Sequence, residues 1–278
     1  MERLNENWIL DIVRNQLNQL FVAARLVLLV PALAAAGAPD HVYSSSLSQA
    51  CKLGGDLYET LDPKYQKTIY PEPIKVEQME APLIVPVEGA DENKSLREVK
   101  ISVGFIDLIN HIAHAKAIDR IQPGYFQQYI LNLSRAADSD APPDPPNMVD
   151  NRYWTDAVMN DQASIFNQIL GMAIALNLSH HYLLHYTKYS SQMLAGKLVP
   201  INNLLAPAEW DLSVRAATLN ALNCALGTDG PAALFEGIDK MPKRPAWTAF
   251  IVPPAIDLKK LNKQLKKYED DFFKGALK

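Results

Sequence analysis

Cysteine is almost absent. Cys51 and Cys224 are the only two in 278 residues, too few for a disulfide framework and without the paired spacing of a thiolate metal site. Glycine is sparse too, and its close pairs, Gly54 with Gly55 and Gly227 with Gly230, lack the spacing of a loop that cradles phosphate. No serine stands in a nucleophile-elbow pattern and neither cysteine has a histidine pattern nearby, so Ser or Cys hydrolase chemistry has no support. A one-sided charge is also missing: 27 basic against 31 acidic residues leave −4. The Lys and Arg residues are scattered outside the C-terminal tail, so nucleic acid is not an expected partner. No apolar run reaches the roughly 20 residues that a membrane-spanning helix needs.

What is present is apolar content, 48% of the chain. A chain of this length buries a core without staples, and the expectation is a single domain over 1–278. The segment 25–38 has a positive flank at Arg25, a short apolar run and small residues of the A-x-A kind, as a signal-peptide core would. Pro31 interrupts it, however, and residues 1–24 carry Glu2, Glu6 and Asp11 with Trp8, Ile12, Leu17, Leu20 and Phe21 at helical spacing. The favoured reading is a folded amphipathic helix in a cytoplasmic protein, with export and membrane contact as alternatives.

Along the chain, residues 44–60 read as polar helix and loop. The stretch 62–86 contains Pro63, Pro71, Pro73, Pro82 and Pro86, which exclude a long helix. Leu83-Ile84-Val85 and Lys100-Ile101-Ser102-Val103 suit a small hairpin or edge-strand pair across the charged stretch 88–95, and little other strand is expected. Helices are expected over 105–117 and 125–136, then a proline-rich surface loop at 138–147 (DSDAPPDPPN). A long histidine-bearing helix follows over about 160–193, a break near 196–207, a helix over 209–226 and another from Pro231. Residues 240–254 read as extended, and 257–274 as a charged terminal helix with a solvated face. The fold class is α+β, mostly α, with a small edge β-sheet.

Chemistry concentrates in Gly171 to Tyr189, GMAIALNLSHHYLLHYTKY, which holds His180, His181 and His185 of the chain's six histidines. On one helix His181 and His185, four apart, share a face with Asn177, and two imidazoles so placed can share a metal ion. Tyr182, Tyr186 and Tyr189 follow the same spacing and read as core or groove lining. A second pair, His111 and His114, lies three apart with Asp107 one turn upstream. If that helix packs on the long one, four histidines converge as in bundle metal sites.

Leu176-Asn177-Leu178-Ser179-His180 resembles the HExxH signature of the zincin metallopeptidases, with His181-Tyr182-Leu183-Leu184-His185 like the continuation common there. Further on, Glu209-Trp210-Asp211-Leu212-Ser213 is similar to the glutamate-bearing helix of the gluzincin branch, which includes CAAX-type and heat-shock-type membrane peptidases. Glu209 falls at the metal-ligand position and Ser213 replaces an aspartate. Gly230-Pro231-Ala232-Ala233-Leu234-Phe235 resembles the start of the next helix, and residues 99–108 resemble the strand and helix that precede the signature. The resemblance covers about 99–235 and implies a zincin-like helical domain with zinc as its cofactor.

It also implies damage. Leu176 has no lone pair for a metal, and Asn177 stands where a glutamate general base would take a proton from metal-bound water. The expectation is therefore a degenerate zincin metallopeptidase-like protein, catalytically impaired or repurposed to bind a peptide or protein partner. His180, His181, His185 and Glu209 are its candidate metal ligands, and Glu209 is expected to point at His180. Two alternatives stand beside it: a helical metal-binding protein built on His111, His114, His181 and His185, and an active metal-dependent hydrolase with a displaced site.

Overall fold

The computed structural model describes residues 46–88, 97–139, 141–193 and 199–276. The amphipathic and signal-like readings of 1–38, and most of the turn expected at 88–95, lie outside the described residues. The order is helix α1 (Ser46–Glu59), the short α2 (Pro63–Gln66), strands β1 (Ile69–Glu77), β2 (Ile84–Glu88) and β3 (Arg97–Ser102), then helices α3 (Val103–Ile118) and α4 (Tyr125–Arg135). After the proline-rich loop come α5 (Asp156–Tyr182), α6 (His185–Met193), α7 (Pro207–Asn223), α8 (Asp229–Asp239) and α9 (Leu258–Phe273). The class is α+β, mostly α, with one small sheet. No helix among the described residues is long and apolar enough to cross a membrane.

The sheet has the order β1-β3-β2, with β1 parallel and β2 antiparallel to the central β3. The β2–β3 pair is the expected hairpin partner set. β1 is a correction, since a nine-residue strand runs through the proline-rich stretch. Its pairing jumps from Ile69↔Arg97 to Ile74↔Val99. Pro71 and Pro73 fall inside that interruption, where no ladder N–H is required of them. Pro86 in β2 is tolerated for a related reason. Ser102 N–H donates to Leu83 O at 2.9 Å, so the alternation of an antiparallel pair turns residue 86 toward the outer edge. The missing donor of Pro86 blunts that edge against strand addition.

Ser102 joins sheet to helix. Its fully buried Oγ accepts from Leu83 N (2.8 Å) and from Phe105 N (3.0 Å), and donates to Ala81 O (2.8 Å). It is the N-cap of α3, so the last residue of β3 starts the helix and fixes the strand beside it. α5 is the central element, packing against α1, α3, α7, α8 and the sheet. Every residue from Ile169 to His181 is buried, which explains why this stretch is apolar all round rather than on one stripe.

Two further readings are corrected. The long histidine helix ends at Tyr182, and α6 starts afresh at His185 after Leu184 takes φ 64°. Leu184 N–H reaches His181 O at 3.0 Å, a left-handed helix stop made without glycine and at a steric cost. Residues 240–254 are not simply extended, since Ala246–Phe250 form a 3-10 turn.

A pair of glycines tests the packing between sheet and α3. A Cβ on Gly104 would lie 1.7 Å from the Glu80 backbone oxygen, whereas one on Gly55 in α1 would meet nothing within 4 Å. Gly104→Ala is expected to destabilise by about 2 kcal/mol or more through overpacking, and Gly55→Ala to stabilise by roughly 0.5–1 kcal/mol. Urea unfolding of the two variants checks both signs.

Candidate functional site

The site lies where the C-terminal end of α5 meets α6 and the first turns of α7. His180 is 1% exposed and His185 5%, and their Nδ1 atoms are 3.4 Å apart. Ser213 Oγ sits 3.4 Å from the first and 3.3 Å from the second. The Ser213 hydroxyl donates its proton to Glu209 O at 3.1 Å, so toward the rings it acts as an acceptor. These contacts are long for hydrogen bonds. Burial first, then repulsion from His185 and His181, pushes His180 down to about 3, and burial also lowers His185. Both rings are neutral.

His181 faces elsewhere. Its Nε2 donates to Glu98 O at 2.7 Å, which leaves Nδ1 buried without a hydrogen-bond partner. Burial holds it down at about 4. Because α5 stops at Tyr182, His181 and His185 do not share a helical stripe, and that expectation is corrected. Arg97 of β3, which carries no sequence signal, closes the helix end by donating to His181 O (3.2 Å) and to Thr187 Oγ1 of α6 (3.2 Å). Cations suit this end of a helix, where carbonyls lack partners.

Glu209 departs most from expectation. α5 and α7 pack side by side, yet its carboxylate does not point at His180. Oε1 accepts from Lys188 Nζ at 2.7 Å, while Oε2 accepts from Tyr189 OH and from Ala206 N, both at 2.9 Å. The Lys188 hydrogen bond, followed by that of the Ala206 amide, holds the carboxyl down at about 2. The sequence explains the turn of the chain: Pro207 opens α7 and Glu209 reaches back to the amide before it, as an N-terminal helix carboxylate does.

Leu176 is packed in the core at 3% exposure, and Asn177, also 3% exposed, donates its side-chain amide to Ala173 O at 2.9 Å. Of the two other histidines among the described residues, His114 Nε2 contacts Tyr153 O at 2.7 Å and its ring meets Trp154 edge-on, with burial pushing it down to about 4. His111 lies 3.7 Å from Asp144. With Asp107 and Glu80 these two line a cavity of about 540 Å³ below the proline-rich loop. The four-histidine convergence therefore does not form. Among the described residues no group of three or more His, Cys, Asp or Glu side chains is arranged to hold a metal.

The zinc that the resemblance implies does not fit the residues present. A zinc hydrolase centre takes three protein ligands and an open position. Here Leu176 offers none, Glu209 is committed to three donors, and His180 Nδ1 faces Ser213. Nor is Ser213 a nucleophile, since it and its histidine neighbours are buried away from any substrate. No protein-family model, no curated protein and no solved structure matches this chain.

The buried histidines fix the response to acid. Their folded values lie below the ordinary 6.5, so the unfolded chain binds protons that the folded one cannot. Stability is complete above about pH 6.5 and is lost as the pH falls from there toward 4, with a limiting slope of about 1.4 kcal/mol per pH unit for each group. Urea midpoints measured from pH 8 to 4.5 are expected to stay flat and then fall. His181→Gln should make the fall shallower. An unchanged slope in that variant would show that His181 is not held neutral.

Proposed function

We propose that this chain is a zincin-like protein that does not hydrolyse peptides and acts by binding a peptide or protein partner. The observation that carries the reading is the meeting of two motifs 33 residues apart, with Ser213 Oγ 3.4 Å from His180 Nδ1. The packing of α7 beside the long buried helix α5 supports it as well.

Loss of hydrolysis follows from the chemistry of what stands there. A metal-bound water must give up its proton to a base. Asn177 cannot accept one, and its amide is spent on Ala173 O. Partner binding, in turn, does not proceed by strand addition at β2. Pro86 removes the middle outward donor of that edge, and the Tyr186 hydroxyl lies against the Glu88 backbone. Side-chain contacts at a surface are the mode this reading favours.

The test is hydrolysis of a mixed peptide library by metal-free protein and by protein supplied with zinc chloride. Cleavage no faster than buffer is expected in both. Zinc-dependent cleavage that a chelator abolishes would overturn the proposal and favour a hydrolase with a displaced site.

A further inference from the structure

We infer that Lys188 is the cation this protein has built in at Glu209 in place of a metal ion, and that it keeps the carboxylate turned away from His180. The inference rests on the zincin reading above, in which Glu209 stands at a ligand position.

Three donors converge on the Glu209 carboxylate, and Lys188 is the one that carries a full charge. An ionised carboxylate has about four lone-pair directions, so three donors leave room for one more contact and what decides against a metal there is charge. The Ala206 amide belongs to the start of α7 and the Tyr189 hydroxyl is neutral. Both would tolerate an ion nearby, but an ammonium at 2.7 Å would not, because like charges repel at contact distance. Lys188 therefore opposes a metal by its charge.

Its place in the fold gives it a second lever. Lys188 lies on α6, between Thr187, which Arg97 holds to the sheet, and Tyr189, which binds the same carboxylate. One turn earlier His185 contacts Ser213 of α7. Four of five consecutive α6 residues thus fix the helix between sheet and α7, and the Lys188–Glu209 pair closes that span. Lys188 itself is mostly exposed, at 58% of its side chain. Its removal therefore leaves the core untouched, and substitutions here read out the site rather than the fold. It acts as a positioning residue.

The experiment measures zinc chloride affinity, by competition with a chromophoric chelator, in two metal-free variants whose folding is followed by circular dichroism. Leu176→His with Asn177→Glu rebuilds the signature, and the second variant adds Lys188→Met to those changes. At least tenfold tighter zinc in the triple variant is expected. Equal affinity in the two overturns the role of Lys188 and leaves the zincin reading standing. No zinc bound by either folded variant overturns the zincin reading and the inference with it. If the triple variant does not fold, the decision passes to the crystal structure of Lys188→Met alone. The Glu209 carboxylate is expected to turn toward His180, and a carboxylate that stays on Tyr189 and Ala206 overturns the inference.

Discussion

The burial of α5 on every side is the constraint from which the rest of the structure follows. A helix in contact with helices and sheet all round cannot let water satisfy its polar end, and this one carries Asn177, Ser179, His180 and His181 into that interior. Each has been given a partner inside. Asn177 and Ser179 turn back to carbonyls of their own helix, at Ala173 and Leu176. His181 is matched to β3, and His180 to Ser213. Arg97 then supplies the cation that the helix end lacks. The sheet is thus bound to α5 through charge and hydrogen bonds as well as apolar contact.

The same constraint makes the histidines neutral. An imidazolium at His180 would have to be desolvated next to two other imidazoles, and among the described residues no carboxylate pairs with it. The nearby carboxylate, Glu209, is balanced by Lys188 instead. Charge has been moved outward from the buried cluster to a half-exposed pair on α6 and α7. A surface pair of this kind contributes little to stability, of the order of 1 kcal/mol or less, so its geometry matters more than its energy. That geometry fixes where the Glu209 side chain lies.

How far this was legible in the sequence depends on the range of the interaction that decides each element. The helices over 105–117 and 125–136 and the pair of strands at 83–103 were readable because local spacing and turn residues set them. β1 was not, because Pro71 and Pro73 are excluded from a regular ladder and fit only through an interruption that β3 imposes. The density of histidines marks the segment in which His180 and His185 approach to 3.4 Å. Its reading as one stripe failed at Leu183-Leu184, where no glycine, asparagine or proline signals the stop and Leu184 adopts a left-handed conformation anyway. Glu209 was singled out by the resemblance, but its direction depends on Lys188, Tyr189 and Ala206. Ser213 was noted as a replacement and turned out to be the group that faces His180. Arg97 had no local signal at all.

Leu176 and Asn177, where the segment departs from the signature it resembles, are structural. A histidine at position 176 and a glutamate at 177 would put one more imidazole and an ionised carboxylate into a wall that is now 3% exposed at both positions. Such groups are costly unless a metal or a water channel receives them. Leu176 adds apolar burial at that point and Asn177 closes its own hydrogen bond, so neither of these positions calls for an ion. The wall behind His180 is made of a leucine, an amide bonded to its own helix and a serine, and none of the three carries charge.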